Sequence, residues 1–315
     1  MDSSELQKLA EHARGMREVG IALLFASGLL ALFLLIPLAS KRAAPAPFAA
    51  AATTTPNAFA NIPIEAKAAI VYDLVTGQTL YAKNADAQLP LASLTKLLTV
   101  YAALATLSPT TPVTIPLEAI RAEAPRAFNE GQIFSLADLA RLTLTASLND
   151  GAMAIASATA ARMNRTPNEM LASAAAALAL SQTYAVNGSG LDISTAVSGG
   201  YGSAYDLARL AGALVEKAPS VAAATTEHSA EAVSLGGTSF SVQNTDPIVA
   251  TIPRLLLSKT GYTDLAGGNL ALVFDAGLGH PISVVVLGSS RNARFTDGEA
   301  LIFATLAHFS GVASL

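Results

Sequence analysis

A serine and a lysine three positions apart are the first candidates for chemistry, in the stretch P-L-A-S-L-T-K-L-L-T-V from Pro90 to Val100. Residues three apart lie on one face of a helix, so the spacing predicts that Ser93 and Lys96 touch. A serine becomes a useful nucleophile when a neighbour takes its proton, and a desolvated lysine can be that neighbour. The pair therefore predicts acyl transfer through a serine, placed near the positive end of a helix dipole.

Two further motifs follow in order, S-L-N from Ser147 to Asn149 and K-T-G from Lys259 to Gly261. Each motif alone has an ordinary reading: a solvated helix face for the first, a helix cap for the second and the polar end of a strand for the third. The three together, in this order, match the S-x-x-K, S-D-N and K-T-G set of serine acyl-transfer enzymes. The middle motif keeps the first and third residues of that set.

The composition excludes several function classes. The chain has 315 residues, a net charge of −4, 52% hydrophobic and 13% charged residues, four scattered histidines and no cysteine. The charge gives no basic field for nucleic acid. The absence of cysteine excludes disulfides, iron–sulfur clusters and thiol catalysis. Because the histidines lack metal-ligand spacing, we expect no metal and no other cofactor.

An uncharged apolar run from Val19 to Ala39 dominates the N-terminal region. As a helix it would span about 30 Å, close to one hydrocarbon core. A cleaved signal peptide has a shorter apolar core with a cleavage site close behind it, whereas the best Ala-x-Ala candidate, Ala58 to Ala60, lies far downstream. We therefore predict an uncleaved transmembrane anchor at 19–39, after a short cytoplasmic tail at 1–18. This predicts a single-pass protein of the cell membrane. The charges that flank the run, Lys8, Arg14 and Arg17 before it and Lys41 and Arg42 after it, weakly favour an N-terminus inside the cell, which would place the globular domain on the outer side.

The rest of the chain divides into a linker and a globular domain. Residues 40–61 are rich in alanine, proline and threonine, which predicts an extended linker. Residues 62–315 predict an α+β fold, an antiparallel sheet with helices packed against it. The order is two strands, a helical block, about three strands and a closing helix. The predicted strands include 68–73, 78–82, 269–275 and 282–288, and the predicted helices include 93–107, 136–157 with a break at S-L-N-D-G, 167–178, 204–216 and 295–309.

This domain resembles the serine D-alanyl-D-alanine carboxypeptidase family, the low-molecular-weight penicillin-binding proteins. The resemblance covers essentially all of residues 62–315. Beyond the three motifs, it is carried by I-V-Y-D-L-V-T-G-Q-T-L-Y-A-K-N-A-D at 70–86, V-N-G-S-G-L-D at 186–192, Y-D-L-A-R-L at 205–210, K-T-G-Y-T-D-L-A-G-G-N-L at 259–270 and V-V-L-G-S-S-R-N-A-R-F at 285–295.

The resemblance implies roles for the motif residues. Ser93 would be the acylated nucleophile and Lys96 its base. Ser147, Asn149 and Lys259 would complete the polar network. The substrate would be a peptidoglycan stem peptide ending in D-Ala-D-Ala, and β-lactam antibiotics would be covalent inhibitors.

Substrate placement is expected along the K-T-G strand. The family implies an oxyanion hole formed by the backbone N–H groups of Ser93 and Tyr262, and a carboxylate contact from Thr260. Gly261 lets a substrate backbone approach the strand edge closely, so the substrate would bind as an added strand.

One departure from the family bears on specificity. Many relatives carry an arginine upstream of K-T-G that helps hold the substrate carboxylate, but Gln243 to Pro247 contains none. Arg254 is the nearest candidate. A D,D-endopeptidase that cuts cross-links therefore stays open beside the carboxypeptidase.

Two other hypotheses also stay open. A serine β-lactamase would need a glutamate that activates the deacylating water. Between S-L-N and K-T-G, Glu169 is the candidate for that role. A non-catalytic cell-wall binding module would keep the fold without the reaction.

Overall fold

A five-stranded antiparallel sheet is the centre of the fold, with strands in the spatial order Leu255–Thr263, Gly267–Asp275, Pro281–Ser289, Ala68–Asp73 and Thr79–Lys83. The computed structural model describes residues 2–34 and 57–311. The chain divides into two compact units, Met1–Thr54 and Thr55–Leu315. The predicted α+β class with an antiparallel sheet is confirmed.

The first unit contains helix α1, Ser3–Leu34. It includes residues predicted as a tail and the first part of the predicted membrane span. Residues 35–39 of that span and residues 40–56 of the predicted linker lie outside the described residues. Among residues 2–34 and 57–311, no helix combines the length and the apolar character needed to cross a membrane.

The second unit follows the predicted order of strands, helical block, strands and closing helix. Its elements are β1 (Ala68–Asp73), β2 (Thr79–Lys83), β3 (Leu89–Pro90), α2 (Thr95–Thr106), β4 (Pro112–Thr114), α3 (Leu117–Ile120), β5 (Ile133–Ser135), α4 (Leu136–Thr145), α5 (Asn149–Arg162), α6 (Pro167–Ala177), β6 (Tyr184–Ala185), β7 (Gly200–Gly202), α7 (Ala204–Lys217), α8 (Pro219–Ala224), β8 (Ser229–Val233), β9 (Ser239–Gln243), β10 (Leu255–Thr263), β11 (Gly267–Asp275), β12 (Pro281–Ser289) and α9 (Ala293–Ser310).

Both faces of the sheet are buried, which explains the continuous apolar runs of β11 and β12. Side chains alternate across a strand. Accordingly, Ala271 and Val273 of β11 join the core beneath the helical block. Leu270 and Leu272 join a second core beneath α9. Strand β10 lies at an edge of the sheet, so one side of its backbone pairs with β11 and the other side pairs with no strand of this sheet.

Helix α2 lies within the helical block and contacts α4, α5, α6 and α7. Most of its residues are buried, Lys96 and Thr99 among them. A helix enclosed on all sides is apolar all round, so its few polar residues stand out as functional candidates.

The second unit also contains short strands that the sequence did not predict. A two-stranded hairpin joins β8 to β9, and a three-stranded sheet has the order β3-β7-β6. These strands have two to five residues. Runs this short carry little periodic signal, which is why the sequence did not indicate them.

Candidate active site

The nucleophile candidate lies in a strained turn. Ser93 is half-buried in a 3₁₀ turn, Ala92–Leu94, that leads into α2. The preceding Ala92 has φ of 49°, a left-handed conformation that non-glycine residues rarely adopt. Surrounding contacts have to maintain such strain, which is common at functional sites.

Two neighbours hold this turn in place. A Cβ built on Gly190 would lie 1.9 Å from the carbonyl oxygen of Ala92, so only glycine fits there. On the other side, Nδ2 of Asn269 donates to the carbonyl of Pro90 at 3.0 Å. The serine is therefore positioned by a loop of the helical block and by the sheet together.

The side chain of Lys96 makes three polar contacts. Its Nζ lies 2.7 Å from Ser93 Oγ, 2.7 Å from Asn149 Oδ1 and 2.8 Å from the carbonyl oxygen of Ser189. The amide and carbonyl oxygens can only accept, so they take two N–H groups of the lysine. In a charged lysine the third N–H donates to Ser93 Oγ, whereas in the neutral amine the lone pair takes that place and accepts from the hydroxyl. The predicted contact between Ser93 and Lys96 is present, in a geometry that suits proton transfer from serine to lysine.

The surroundings favour the neutral form of Lys96. Burial lowers its pKa well below the ordinary lysine value, and the nearby charge of Lys259 lowers it further, while Asp150 opposes both. Desolvation penalises the charged form, and a like charge adds to that penalty. Lys96 is therefore better suited to act as a base than an exposed lysine.

Ser147 and Asn149 lie at the break between α4 and α5, as predicted. Ser147 has φ of 60°. Nδ2 of Asn149 donates to the carbonyls of Glu123 and Ala124 at 2.9 and 3.1 Å. These two bonds fix the amide so that Oδ1 faces Lys96.

Asp150 is a buried carboxylate beside this motif that the sequence did not mark as functional. It accepts from the backbone N–H groups of Ala127 and Phe128, both at 2.9 Å. It therefore holds the loop before β5 against α5. A signal for it was available in the sequence, since the charged residue directly follows S-L-N.

Lys259 connects the strand to the helical break. Its Nζ donates to Ser147 Oγ at 2.9 Å and to the carbonyl of Thr260 at 2.7 Å. Burial and the charge of Arg294 lower its pKa to about 7, and Asp246 opposes this change. A proton can therefore move between Lys259 and Ser147 near neutral pH.

The K-T-G segment lies inside β10. Oγ1 of Thr260 and Oγ1 of Thr245 are 2.6 Å apart. A Cβ on Gly261 would lie 3.0 Å from the carbonyl oxygen of Leu91 and 3.3 Å from the backbone nitrogen of Ser93. Glycine is needed there because the strand backbone approaches the nucleophile turn directly.

Tyr262 follows at the exposed end of this segment. Tyr262 is 37% exposed, and the guanidinium of Arg291 lies over its ring, 4.2 Å from the ring centroid.

The hydrogen bonds thus bring Ser93, Lys96 and Asn149 together and link Ser147 to Lys259, and the close approach of the strand backbone places Gly261 against the turn of Ser93. The carbonyl of Ser189 is a further member of the site. Its only sequence signal was the N-G-S-G loop, because a backbone carbonyl has no residue type of its own.

Two other candidates lie elsewhere. Arg254 precedes β10 and its Nε donates to the carbonyl of Asp275 at 2.8 Å. Thr260 is six positions further along the strand, about 20 Å away, so Arg254 is not the carboxylate ligand. Glu169 is exposed and caps α6 through a reciprocal capping box with Thr166. The role of Glu169 is therefore that of a helix cap.

A family model described as D-alanyl-D-alanine carboxypeptidase matches residues 51–291. The chain belongs to this family. The predicted serine-type D-alanyl-D-alanine carboxypeptidase is thereby confirmed as the enzyme class. A comparison with curated protein sequences gives no significant match.

Solved structures of similar proteins agree with the family. A penicillin-binding protein from Listeria monocytogenes with ampicillin bound is 27% identical, with a TM-score of 0.66 over 78% of this chain and 99% of that chain. A D-alanyl-D-alanine carboxypeptidase from Mycobacterium tuberculosis is 26% identical, with a TM-score of 0.67 over 82% of this chain and 98% of that chain. A carboxypeptidase from Francisella tularensis, at 22% identity and a TM-score of 0.69 over 78% of this chain and 71% of that chain, shows the shared fold.

Proposed function

We propose that this member of the carboxypeptidase family removes the terminal D-alanine of peptidoglycan stem peptides through an acyl-enzyme on Ser93. The observation that carries the proposal is the set of three contacts around Lys96 Nζ. Two of them occupy N–H donors, and the third faces Ser93 Oγ. A neutral lysine held in this way is a base aimed at one hydroxyl.

Acylation follows from this geometry. Ser93 Oγ attacks the carbonyl carbon of the D-Ala-D-Ala bond while its proton passes to Lys96. The negative charge that develops on the carbonyl oxygen is met by the backbone N–H groups of Ser93 and Tyr262. This assignment is supported by Gly261, the neighbour of Tyr262 in the strand, because a Cβ on it would lie 3.3 Å from the backbone nitrogen of Ser93.

Release of the leaving group needs a proton on its nitrogen. Ser147 Oγ lies within hydrogen-bonding distance of Lys259, so it can pass a proton to the departing amine and be reprotonated by that lysine. D-alanine then leaves with a neutral amine that takes up a proton from solvent. Before deacylation Lys96 loses its proton and Lys259 regains one by exchange with solvent. Water then attacks the ester carbonyl while one of its protons passes to neutral Lys96, and Lys96 gives that proton to Ser93 Oγ as the ester C–O bond breaks. The shortened peptide leaves as a carboxylic acid that ionises in solvent, and the free enzyme is restored.

The test is an intact mass measurement of the whole chain after brief incubation with benzylpenicillin, beside Ser93→Ala. We expect a covalent adduct on the wild type and none on the variant. Release of D-alanine from a synthetic peptide ending in D-Ala-D-Ala should disappear in the same variant. A wild type that is folded, forms no adduct and does not hydrolyse a chromogenic β-lactam would instead favour the binding module.

A D,D-endopeptidase is the second candidate, and one observation favours it. The loop before β10 presents the hydroxyl of Thr245 to Thr260, where an arginine would hold a free carboxylate. A neutral hydroxyl pair discriminates less strongly between a free C-terminal carboxylate and an amide-linked D-alanine. Cleavage of purified cross-linked muropeptide dimers, measured beside D-alanine release, separates the two activities.

We further propose that residues 19–39 anchor the enzyme in the cell membrane, with the catalytic unit on the outer side. The proposal is supported by the uncharged apolar run of these residues and by the location of peptidoglycan. The wild type should pellet with membranes and resist extraction by alkaline carbonate, whereas a chain lacking residues 19–39 should not. Recovery of the wild type in the soluble fraction would contradict the anchor.

A further inference from the structure

Three buried residues on the α9 side of strand β10 have no part in the proposed reaction. We call Asp246, Ser258 and Arg294 the rear cluster. Asp246 and Arg294 are 2% and 8% exposed, although both carry ionisable groups. Ser258 Oγ donates to Asp246 Oδ2 in a short hydrogen bond, and the backbone N–H of Ile248 donates to Oδ1 at 2.9 Å. Burying a charged group costs free energy unless an opposite charge or hydrogen bonds compensate for the lost water. The presence of these residues in the interior therefore needs an explanation.

The guanidinium of Arg294 contacts the backbone of the K-T-G segment directly. Its Nη1 donates to the carbonyl oxygen of Gly261 at 2.6 Å. That carbonyl and the N–H of Tyr262 belong to one planar peptide group, and in a trans peptide they point in opposite directions. The N–H of Tyr262 therefore points away from Arg294.

A cation on the oxygen of a peptide group makes its N–H a stronger donor, because hydrogen bonds in a chain polarise one another. The same peptide follows Gly261, whose Cα approaches the backbone nitrogen of Ser93 so closely that a Cβ would lie 3.3 Å from it. The polarised N–H thus belongs to the segment that lies against the nucleophile turn.

We propose that Arg294 is a positioning residue for the oxyanion hole, because its bond to Gly261 fixes the Gly261–Tyr262 peptide and strengthens the N–H of Tyr262 as a donor. This inference rests on the proposed function, since it needs an acyl-transfer site at Ser93. Arg294 itself contacts no substrate atom and acts only through the peptide.

The negative charge of Asp246 counteracts the effect of Arg294 on the neighbouring lysine. The charge of Arg294 helps to lower the pKa of Lys259, and Asp246 counteracts that effect. Burial also lowers the pKa of Arg294, which Asp246 again opposes. Burial raises the pKa of Asp246, while the hydrogen bond from Ser258 and the charge of Arg294 oppose that rise. In its ionised form Asp246 offsets part of the positive charge behind β10.

The experiment uses the whole chain and measures two properties of the benzylpenicillin acyl-enzyme. The first is the rate constant of acylation. The second is the infrared stretching frequency of the ester carbonyl, which falls as the oxyanion hole polarises that bond. Arg294→Met and Arg294→Gln remove the charge, and Arg294→Lys keeps it. Leu301→Ala, a cavity at a fully buried position of the same helix, is the control for destabilisation alone.

We expect acylation to slow about tenfold in the two neutral variants, less than the 10²–10³-fold loss on removing an oxyanion donor outright. Their ester stretch should move to higher wavenumber, Arg294→Lys should recover part of both effects, and Leu301→Ala should leave the stretch in place. Either neutral variant is sufficient if the other does not fold.

An unchanged stretch and rate in a folded neutral variant would overturn the inference. So would an equal shift in Leu301→Ala, because Arg294 would then act through stability alone. If the wild type itself forms no acyl-enzyme, the proposed function fails. If it acylates normally and only the Arg294 effects are missing, the proposed function stands without this inference.

Discussion

The side chain of Lys96 donates to Oδ1 of Asn149 at 2.7 Å, although the two residues are 53 positions apart in the sequence. Asn149 cannot turn its amide, because Nδ2 is held by the carbonyls of Glu123 and Ala124. The asparagine therefore decides which way the nitrogen of Lys96 faces. A base aimed by two fixed acceptors is preorganised for one proton, that of Ser93.

Acylation should become faster with rising pH, because only neutral Lys96 can take the proton of Ser93. The charge of Lys259 helps to lower the pKa of Lys96. Lys259→Met should therefore shift the rising limb of the pH–rate profile to higher pH, besides lowering its plateau. The measurement is the acylation rate constant with benzylpenicillin between about pH 5 and pH 9. Lys217→Met, at an exposed lysine in the last turn of α7, is the matched control. A rising limb that stays in place would contradict the coupling.

Stability should increase with pH above neutrality. The pKa of Lys259 is about 7 in the folded protein, against about 10.4 for an unperturbed lysine. Between these values the unfolded chain binds more protons, so the free energy of unfolding rises as pH rises. Lys96 contributes in the same direction because its pKa is also lowered.

Urea unfolding between about pH 7 and pH 9, below the range of tyrosine ionisation, measures this slope. Lys259→Met should reduce the slope and Lys217→Met should preserve it. Equal slopes in all three proteins would mean that Lys259 is charged in the folded state throughout.

Gly261→Ala should damage both catalysis and stability. Its Cβ would lie 3.0 Å from the carbonyl oxygen of Leu91 and 3.3 Å from the nitrogens of Ser93 and Leu94. The strand or the nucleophile turn must move, and a displacement of about 1 Å can cost about 10²-fold in rate. Overpacking should lower the free energy of unfolding by about 1–3 kcal/mol.

The acylation rate and the urea midpoint test this together. Gly236→Ala is the control, because a Cβ there meets nothing closer than Ser234 Oγ at 3.8 Å. Wild-type acylation in Gly261→Ala would show that the turn tolerates the methyl group.

Thr245→Arg should favour substrates with a free carboxylate. The Thr245 hydroxyl is 2.6 Å from that of Thr260, so an arginine at this position can reach the same region of the strand edge. A guanidinium binds a carboxylate through two charge-assisted hydrogen bonds. We expect the ratio of D-alanine release to cross-link cleavage to rise about tenfold. This corresponds to the free energy of one charge-assisted contact, about 1.5 kcal/mol. Thr245→Gln, which adds length without charge, should leave the ratio near that of the wild type.

The sequence predicted the local part of this site well. The contact between Ser93 and Lys96 follows from helical spacing alone, and the break at S-L-N-D-G follows from interrupted periodicity. The α+β class follows from the order of strands and helices. The positions of Asn149 and Lys259 beside the nucleophile depended on the ordered motifs, because spacing gives no information over such separations.

Other parts could not be predicted because they depend on the folded backbone. The carbonyl of Ser189 contacts Lys96 without any side chain that marks it. Arg294 is one of 19 lysines and arginines, and only the docking of α9 selects it. The pairing of β1 with β12 joins strands from opposite ends of the globular unit, and no local pattern encodes such a register.

The bond between Asn269 and the carbonyl of Pro90 joins residues 179 positions apart. During synthesis, the turn that carries Ser93 leaves the ribosome long before the strand that supports it. The nucleophile can reach its final geometry only when β11 has been made and has paired within the sheet. A covalent penicillin adduct on Ser93 would therefore report that nearly the whole catalytic unit has folded, which makes the antibiotic a probe of completed assembly as well as of activity.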